Sequence, residues 1–264
     1  MTSSNHNTSA PSAIILAAGK GTRMKSDLPK VCHPIGGRAM VCAVVDACLG
    51  AGVGRIVVVV GYKQELVREA LASYGDRVEF AVQDEQLGTG HAVMCAREAF
   101  SGEPEGDVFV LCGDGPLIRA KTLETVLSRH RESGASATLA TSVIEDPSGY
   151  GRVVRDAAGR FDRIVEQKNA TSEQLAIREV NPSYYCFDRG ELFGALDRLG
   201  RDGVSGEYYI TDVPQMLREA GEVVEVIEAV PAEDVLSINT PEQLAEVDRV
   251  FRSRASGVAD GGAS

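Results

Sequence analysis

The chain has 264 residues, 44 % of them apolar and 25 % charged, with a formal net charge of −11. That length buries a full core, as one large domain or one domain plus a small lobe. The acidic balance excludes a general nucleic-acid or membrane-surface binder, and no apolar run reaches the roughly 20 residues of a membrane span.

Residues 1–12, MTSSNHNTSAPS, are polar and lack a signal-peptide core, so they read as a disordered arm. AIILAA (13–18) follows as a short buried strand. AMVCAVVDACLGAG (39–52) has helical spacing, and RIVVVVG (55–61) is a continuous β-branched run of the kind covered on both faces. KQELVREALASYG predicts a helix ending at Gly75, VEFAV a strand, and GTGHAVMCAREAF a helix with a glycine-rich start. DVFVLCG (107–113) is another buried strand, and RAKTLETVLSRHRESG another helix. Strand then helix, repeated with right-handed crossovers, predicts a parallel sheet with helices on both faces.

After about residue 135 the pattern changes. SATLATSVI is strand-like, GRVVRDAAGRFDRIVEQ reads as a hairpin turning at Ala-Ala-Gly, and IREVNPSYYCF is strand-like again. Helical stretches follow near 189–199 and 211–220, then the strand EVVEVIEA and a last helix capped by Thr240 with Pro241 at its first position. Residues 13–254 therefore read as one fused α/β domain. It has a nucleotide-binding half over about 13–135 and a substrate-binding lobe over about 136–254, and a flexible tail follows at 255–264. The six cysteines (32, 42, 48, 95, 112, 186) include no C-x-x-C pair, which fits free thiols in a reducing, cytoplasmic compartment.

Two stretches carry chemistry. In LAAGKGTRMKSDLPK, Gly19 and Gly21 let backbone N–H groups approach a phosphate, and Lys20, Arg23, Lys25 and Lys30 oppose the overall negative charge. It is not a P-loop, because G-x-x-x-x-G-K-[ST] is absent. Nor is it a dinucleotide fingerprint, because Met24 stands where a third glycine is needed. In LCGDGPLI, Asp114 leaves a buried strand at the same sheet edge, where ligands of open α/β sheets bind. A carboxylate there is placed to hold Mg²⁺, a hard cation that takes one or two carboxylates plus substrate phosphates. Together the two stretches describe a metal–triphosphate site. His33 and His91 lie near these motifs and read as structural.

LAAGKGTRMKSDLPK resembles the L-x-x-G-x-G-T-R-x…P-K signature of sugar-phosphate nucleotidyltransferases. EQLGTGHAV, GDGPLI, GYGRVVRD, IVEQKNAT, EYYITDV and INTPEQL then occur in the order found in bacterial N-acetylglucosamine-1-phosphate uridylyltransferases, over about residues 13–250. The resemblance implies a Rossmann-like nucleotidyltransferase fold with a central, mostly parallel sheet. It implies transfer of UMP from UTP to N-acetylglucosamine 1-phosphate, giving UDP-N-acetylglucosamine, a cell-wall precursor, and pyrophosphate. Close alternatives are the same reaction with glucose 1-phosphate or dTTP, and a non-catalytic regulatory subunit.

Carried over position by position, the resemblance puts Leu16, Ala17, Ala18, Gly19 and Gly113 against the nucleotide and Arg23 and Lys30 on its phosphates. Gln83, Gly88 and Thr89 match the uracil-reading segment, where an amide offers both a donor and an acceptor to the imide edge. Asp114 and Asn239 match the protein ligands of Mg²⁺. Gly151, Glu166 and Asn181 match the sugar-binding positions, with Tyr208 and Thr211 lining the same pocket. No protein nucleophile is needed, since the sugar phosphate attacks the α-phosphorus in line.

Three departures stand out. EVNPSYYCF replaces the family's E-[IV]-N-T-G, so Pro182 removes an N–H and the sugar pocket is expected to differ. Cys112 precedes Gly113-Asp114 where some relatives carry tyrosine. The hexapeptide-repeat acetyltransferase domain of many relatives is absent from this sequence, so acetyl transfer is not expected of it.

Overall fold

A computed structural model describes residues 9–260 apart from 22, 23, 25 and 237. Arg23, expected on the phosphates, lies outside the described residues.

One nine-stranded sheet runs through the molecule. Its strands are β1 (Ser12–Ala17), β2 (Arg55–Val60), β3 (Val78–Val82), β4 (Asp107–Cys112), β5 (Ala137–Val143), β6 (Gly151–Arg155), β7 (Phe161–Val165), β8 (Glu179–Asp188) and β9 (Val224–Glu228). The order across the sheet is β9-β5-β8-β4-β1-β2-β3, with the β6–β7 hairpin attached to β8. β1 pairs in parallel with β2 and β4, β2 with β3, and β5 with β9. The expected mostly parallel sheet is present. β8 departs from it, returning antiparallel between β4 and β5, and the β6–β7 hairpin attached to it is antiparallel as well.

The continuous apolar runs of the first strands follow from burial on both faces. Ala13, Ile15 and Ala17 of β1 face one core, while Ile14 faces the other. The first core takes residues from α1 (Met40–Gly50), α2 (Gln64–Ala70) and, further along, α4 (Ala120–Ser133) and α8 (Pro241–Asp260). The second takes them from α3 (Thr89–Cys95), α6 (Arg189–Leu196) and α7 (Val213–Glu219). The short α5 (Ser172–Leu175) lies outside both, opened by a Thr171–Gln174 capping box.

Some boundaries differ from the sequence reading. The helix expected to reach Gly75 is α-helical only to Ala70 and tightens into 3₁₀ turns over Ala72–Arg77. The expected arm is ordered from Ser9: Arg131 Nη2 donates to its carbonyl at 2.6 Å, Gly54 N–H donates to Pro11 O at 2.9 Å, and Ser12 already belongs to β1. The last helix continues to Asp260, past the expected start of a flexible tail at 255. No proline interrupts RSRASGVAD, and Gly257 alone costs only about 1 kcal/mol of helix propensity. All six cysteines are free, and among the described residues no helix is long and apolar enough to cross a membrane.

Candidate active site

The sheet changes direction at β1, with β2 on one side and β4 on the other, so a crevice opens beyond their carboxyl ends. Gly113 N–H donates to Leu16 O at 2.9 Å and ties the two strand ends together. Two compartments meet there. Leu16–Gly19, Gly21, Gln83, Gly88 and Thr89 line the first; Gly151, Glu166, Asn181, Asp234 and Asn239 line the second. Lys30, Cys112 and Asp114 line both.

At this seam Lys30 Nζ donates to Asp114 Oδ2 at 2.6 Å. Asp114 follows β4 directly, and Lys30 comes from the 3₁₀ turn Lys30–Cys32, whose buried Val31 anchors it to the core. Cys112 is no nucleophile here: burial, and then the Asp114 charge, push its thiol up to about 12.

In the first compartment, Gly88 has φ +100, and a Cβ there would lie 2.5 Å from Tyr208 O. Only glycine allows this approach. It lets Gly90 N–H donate to Tyr208 O and Tyr208 N–H to Leu87 O, both at 2.8 Å. Thr89 Oγ1 accepts from Ile210 N–H at 3.1 Å. Gln83 is 3 % exposed, and its Nε2 donates to Gly88 O at 3.0 Å and lies 3.1 Å from His91 Nδ1. This narrows the expectation that the amide offers a ligand both a donor and an acceptor: its nitrogen already donates to Gly88 O and sits beside a ring nitrogen of His91. Tyr208 is corrected too. It does not line the sugar-side compartment but stacks on His91 at 6.4 Å, because the 207–210 backbone is pinned to the 87–90 loop.

The second compartment is walled by the β6–β7 hairpin and β8. Gly151 is needed because a Cβ there would meet Ile164 Cγ2 at 2.9 Å and approach Glu166 Oε1 at 3.7 Å. Glu166 is held by burial above the usual carboxylate range, a rise that the Thr211 hydroxyl, donating to Oε1 at 3.2 Å, partly offsets. Thr211, expected with Tyr208 to line this compartment, is likewise not on its wall: it is buried and reaches the site only through Glu166. Asn181 is 5 % exposed; its Nδ2 donates to Tyr185 Oη at 2.6 Å, and its Oδ1 accepts from Ser183 N–H at 3.2 Å. The Pro182–Ser183 departure is a β-bulge, with Ser183 at φ +65. The bulge turns the Asn181 amide nitrogen toward Tyr185.

Sequence reasoning missed several residues of this compartment. Gln167 Oε1 accepts from Gly149 N–H and from Arg152 Nη2, and the buried Arg152 also donates to Tyr150 O, so the Gly149–Gly151 loop is held from beneath. Gln167 directly follows Glu166 in IVEQKNAT, which was the available signal. Asp234, 3 % exposed, is clamped by Arg119 Nε at 2.6 Å and Arg254 Nη2 at 2.5 Å. Nothing in its local sequence marked it, because its partners lie on distant elements.

Asp114 and Asn239 share the second compartment, and each carries a side-chain oxygen of the kind a hard cation takes. The backbone at Asn239 is fixed by Gln243 Oε1, which accepts its N–H at 2.8 Å, while Thr240 Oγ1 accepts from Gln243 N–H at 3.3 Å. Among the described residues no cluster of three or more His, Cys, Asp or Glu side chains can hold a metal by itself. A cation here would take the rest of its shell from backbone, water or ligand oxygens. Asp114 already carries the Lys30 ammonium as a positive partner.

Residues 13–209 match the family model of the MobA-like NTP transferase domain. The chain is 48 % identical over 242 residues to the "Bifunctional protein GlmU" of Heliobacterium modesticaldum, 47 % to that of Pelobacter propionicus and 46 % to that of Bacillus cereus. Each alignment covers 92 % of this chain and 52 % of the relative, so the chain spans about half the length of the curated relatives it matches. The family match spans both the glycine loop and the strand-end aspartate at the sheet switch point, and it covers most of the chain: the chain belongs to the MobA-like NTP transferase domain family.

Proposed function

We propose that the chain transfers UMP from UTP to N-acetylglucosamine 1-phosphate, releasing pyrophosphate, with Mg²⁺ held by Asp114 and Asn239. The observation that carries this reading is the seam: one ammonium and one carboxylate, 2.6 Å apart, belong to both compartments at once. A nucleoside triphosphate in the first and a sugar phosphate in the second bring their phosphates together there.

The attacking group is the sugar's own phosphate, a dianion near neutral pH, since its second pKa is about 6. What the chain supplies is alignment and charge. Backbone N–H groups from Leu16 to Gly19 approach the triphosphate. Lys30, at hydrogen-bond range of Asp114, offsets charge that builds on the leaving side. The Gln83 carbonyl faces the base, and Glu166, kept in a low-dielectric wall, accepts from sugar hydroxyls. When bound at Asp114 and Asn239, Mg²⁺ would supply Lewis-acid charge stabilisation.

The test is pyrophosphate release across a panel of nucleotides and sugar 1-phosphates. UTP with N-acetylglucosamine 1-phosphate should give the highest kcat/KM. Asp114→Asn should lower turnover by about 10³-fold or more, and Lys30→Ala by about 10–100-fold, as loss of a charge-assisted contact worth roughly 1.5–3 kcal/mol implies. A native preference for glucose 1-phosphate or dTTP would overturn the substrate assignment. Full activity of Asp114→Asn with ample Mg²⁺ would remove Asp114 from the metal site.

A further inference from the structure

We infer that His91 is a positioning residue for base selection: its neutral Nε2–H tautomer locks the Gln83 amide so that only the carbonyl oxygen reaches the base. The inference rests on the uridine reading above and adds the residue that enforces it.

The chain of constraints starts at Gly88 O, which can only accept. The Gln83 atom 3.0 Å from it must therefore be the amide nitrogen, since two carbonyl oxygens at that range repel. That nitrogen also lies 3.1 Å from His91 Nδ1. Its second N–H points at Nδ1, so Nδ1 must be an acceptor and the proton of the neutral ring sits on Nε2. His91 Nε2 faces Cys95 Sγ at 3.9 Å, a soft acceptor for that proton. The ring itself is held by the stack on Tyr208, with an interplanar angle of 29°.

Both N–H groups of Gln83 are thus consumed inside the protein. Gln83 lines the nucleotide-side compartment, and Oε1 is what its amide has left to offer there. Uracil presents N3–H and is accepted. Cytosine presents a lone pair at N3 and meets a second acceptor. Thymine shares the uracil imide, so this lock does not reject it. His91 touches no substrate and acts through Gln83.

The experiment is titration calorimetry of UTP, CTP and dTTP, without sugar phosphate, on the native chain, His91→Phe and His91→Asn. Phenylalanine keeps a ring against Tyr208 but removes the acceptor. Asparagine restores an acceptor, Oδ1, on the atom that carries Nδ1 in histidine. Leaving a buried N–H unpaired should weaken UTP about tenfold in His91→Phe and lower the UTP:CTP affinity ratio at least about fivefold. His91→Asn should return the ratio to within about twofold of native. A His91→Phe variant with the native ratio overturns the inference alone. A native chain that does not prefer UTP over CTP overturns the uridine reading, and this inference with it. Long-range ¹H–¹⁵N spectra of the native chain give an independent arm that needs no variant. Nδ1 should appear as a non-protonated nitrogen at neutral pH, and a protonated Nδ1 overturns the lock.

Discussion

Ser183 holds a left-handed backbone, φ +65, at the point where β8 bulges beside the sugar-side compartment. An L-residue there is strained by about 1–2 kcal/mol, while glycine's extra chain entropy costs only about 0.5–1 kcal/mol. Ser183→Gly should therefore raise stability by about 0.5–1 kcal/mol, read as a higher denaturant midpoint at constant m-value. Glu166 makes the opposite compromise. Burial raises its carboxyl pKa, so the folded chain keeps a proton that the unfolded chain gives up. Stability must then fall as pH climbs from the ordinary carboxylate range through the raised folded value. Glu166→Gln should be more stable than the native chain above that window, lose the slope within it, and bind the sugar phosphate more weakly. A pH series of denaturant midpoints for the two proteins checks the sign.

At the scale of elements, α8 is tied to the fold by a buried carboxylate as well as by its apolar face. Arg254 on α8 and Arg119 just before α4 converge on Asp234, and Arg254 Nη1 also donates to Leu117 O at 3.1 Å. Removing one partner of a buried pair costs about 3–5 kcal/mol, less where the arginines are part-exposed as here. Asp234→Ala should cost about 2–3 kcal/mol and raise amide exchange along α8 before the rest of the molecule; uniform exchange would argue that α8 is anchored elsewhere. None of this clamp was legible in the sequence, because Arg119 lies 115 residues and Arg254 20 residues from Asp234, on elements that only the tertiary fold brings together. What was legible follows a local cause. Strands β1, β2 and β4 read as strands because double-sided burial demands unbroken apolar runs, and the strand-end position of Asp114 followed from them. β8 read as a strand, but its direction did not, since pairing between β4 and β5 is decided by those partners. Gln83 and Tyr208 were found as residues and misread as orientations, because the groups that fix them come from the 88–91 and 207–210 segments together.

For the whole molecule, the nucleotide-side and sugar-side residues share one sheet and both cores. The first core gathers Ile15 and Val58 with Ala140 and Val180, and the second gathers Ile14 and Val57 with Leu139 and Tyr185. Neither side can lose its packing without exposing the other. The chain should unfold in a single transition, with calorimetric and van't Hoff enthalpies equal. Two resolved transitions would mean that the sugar-side lobe has a core of its own.

The return of β8 into the middle of the sheet carries a consequence for a chain that has been cut. The Ala157–Arg160 turn is exposed, and it precedes β8, whereas β4 and β5 come before it. A protease that nicks this turn severs the covalent thread but leaves a strand of the second fragment clasped between two strands of the first. The nicked molecule should elute as one species and separate only in denaturant. Two genes split at that turn and expressed together should rebuild the sheet by fragment complementation. The first fragment alone should aggregate, because withdrawing β8 bares the inner edges of β4 and β5.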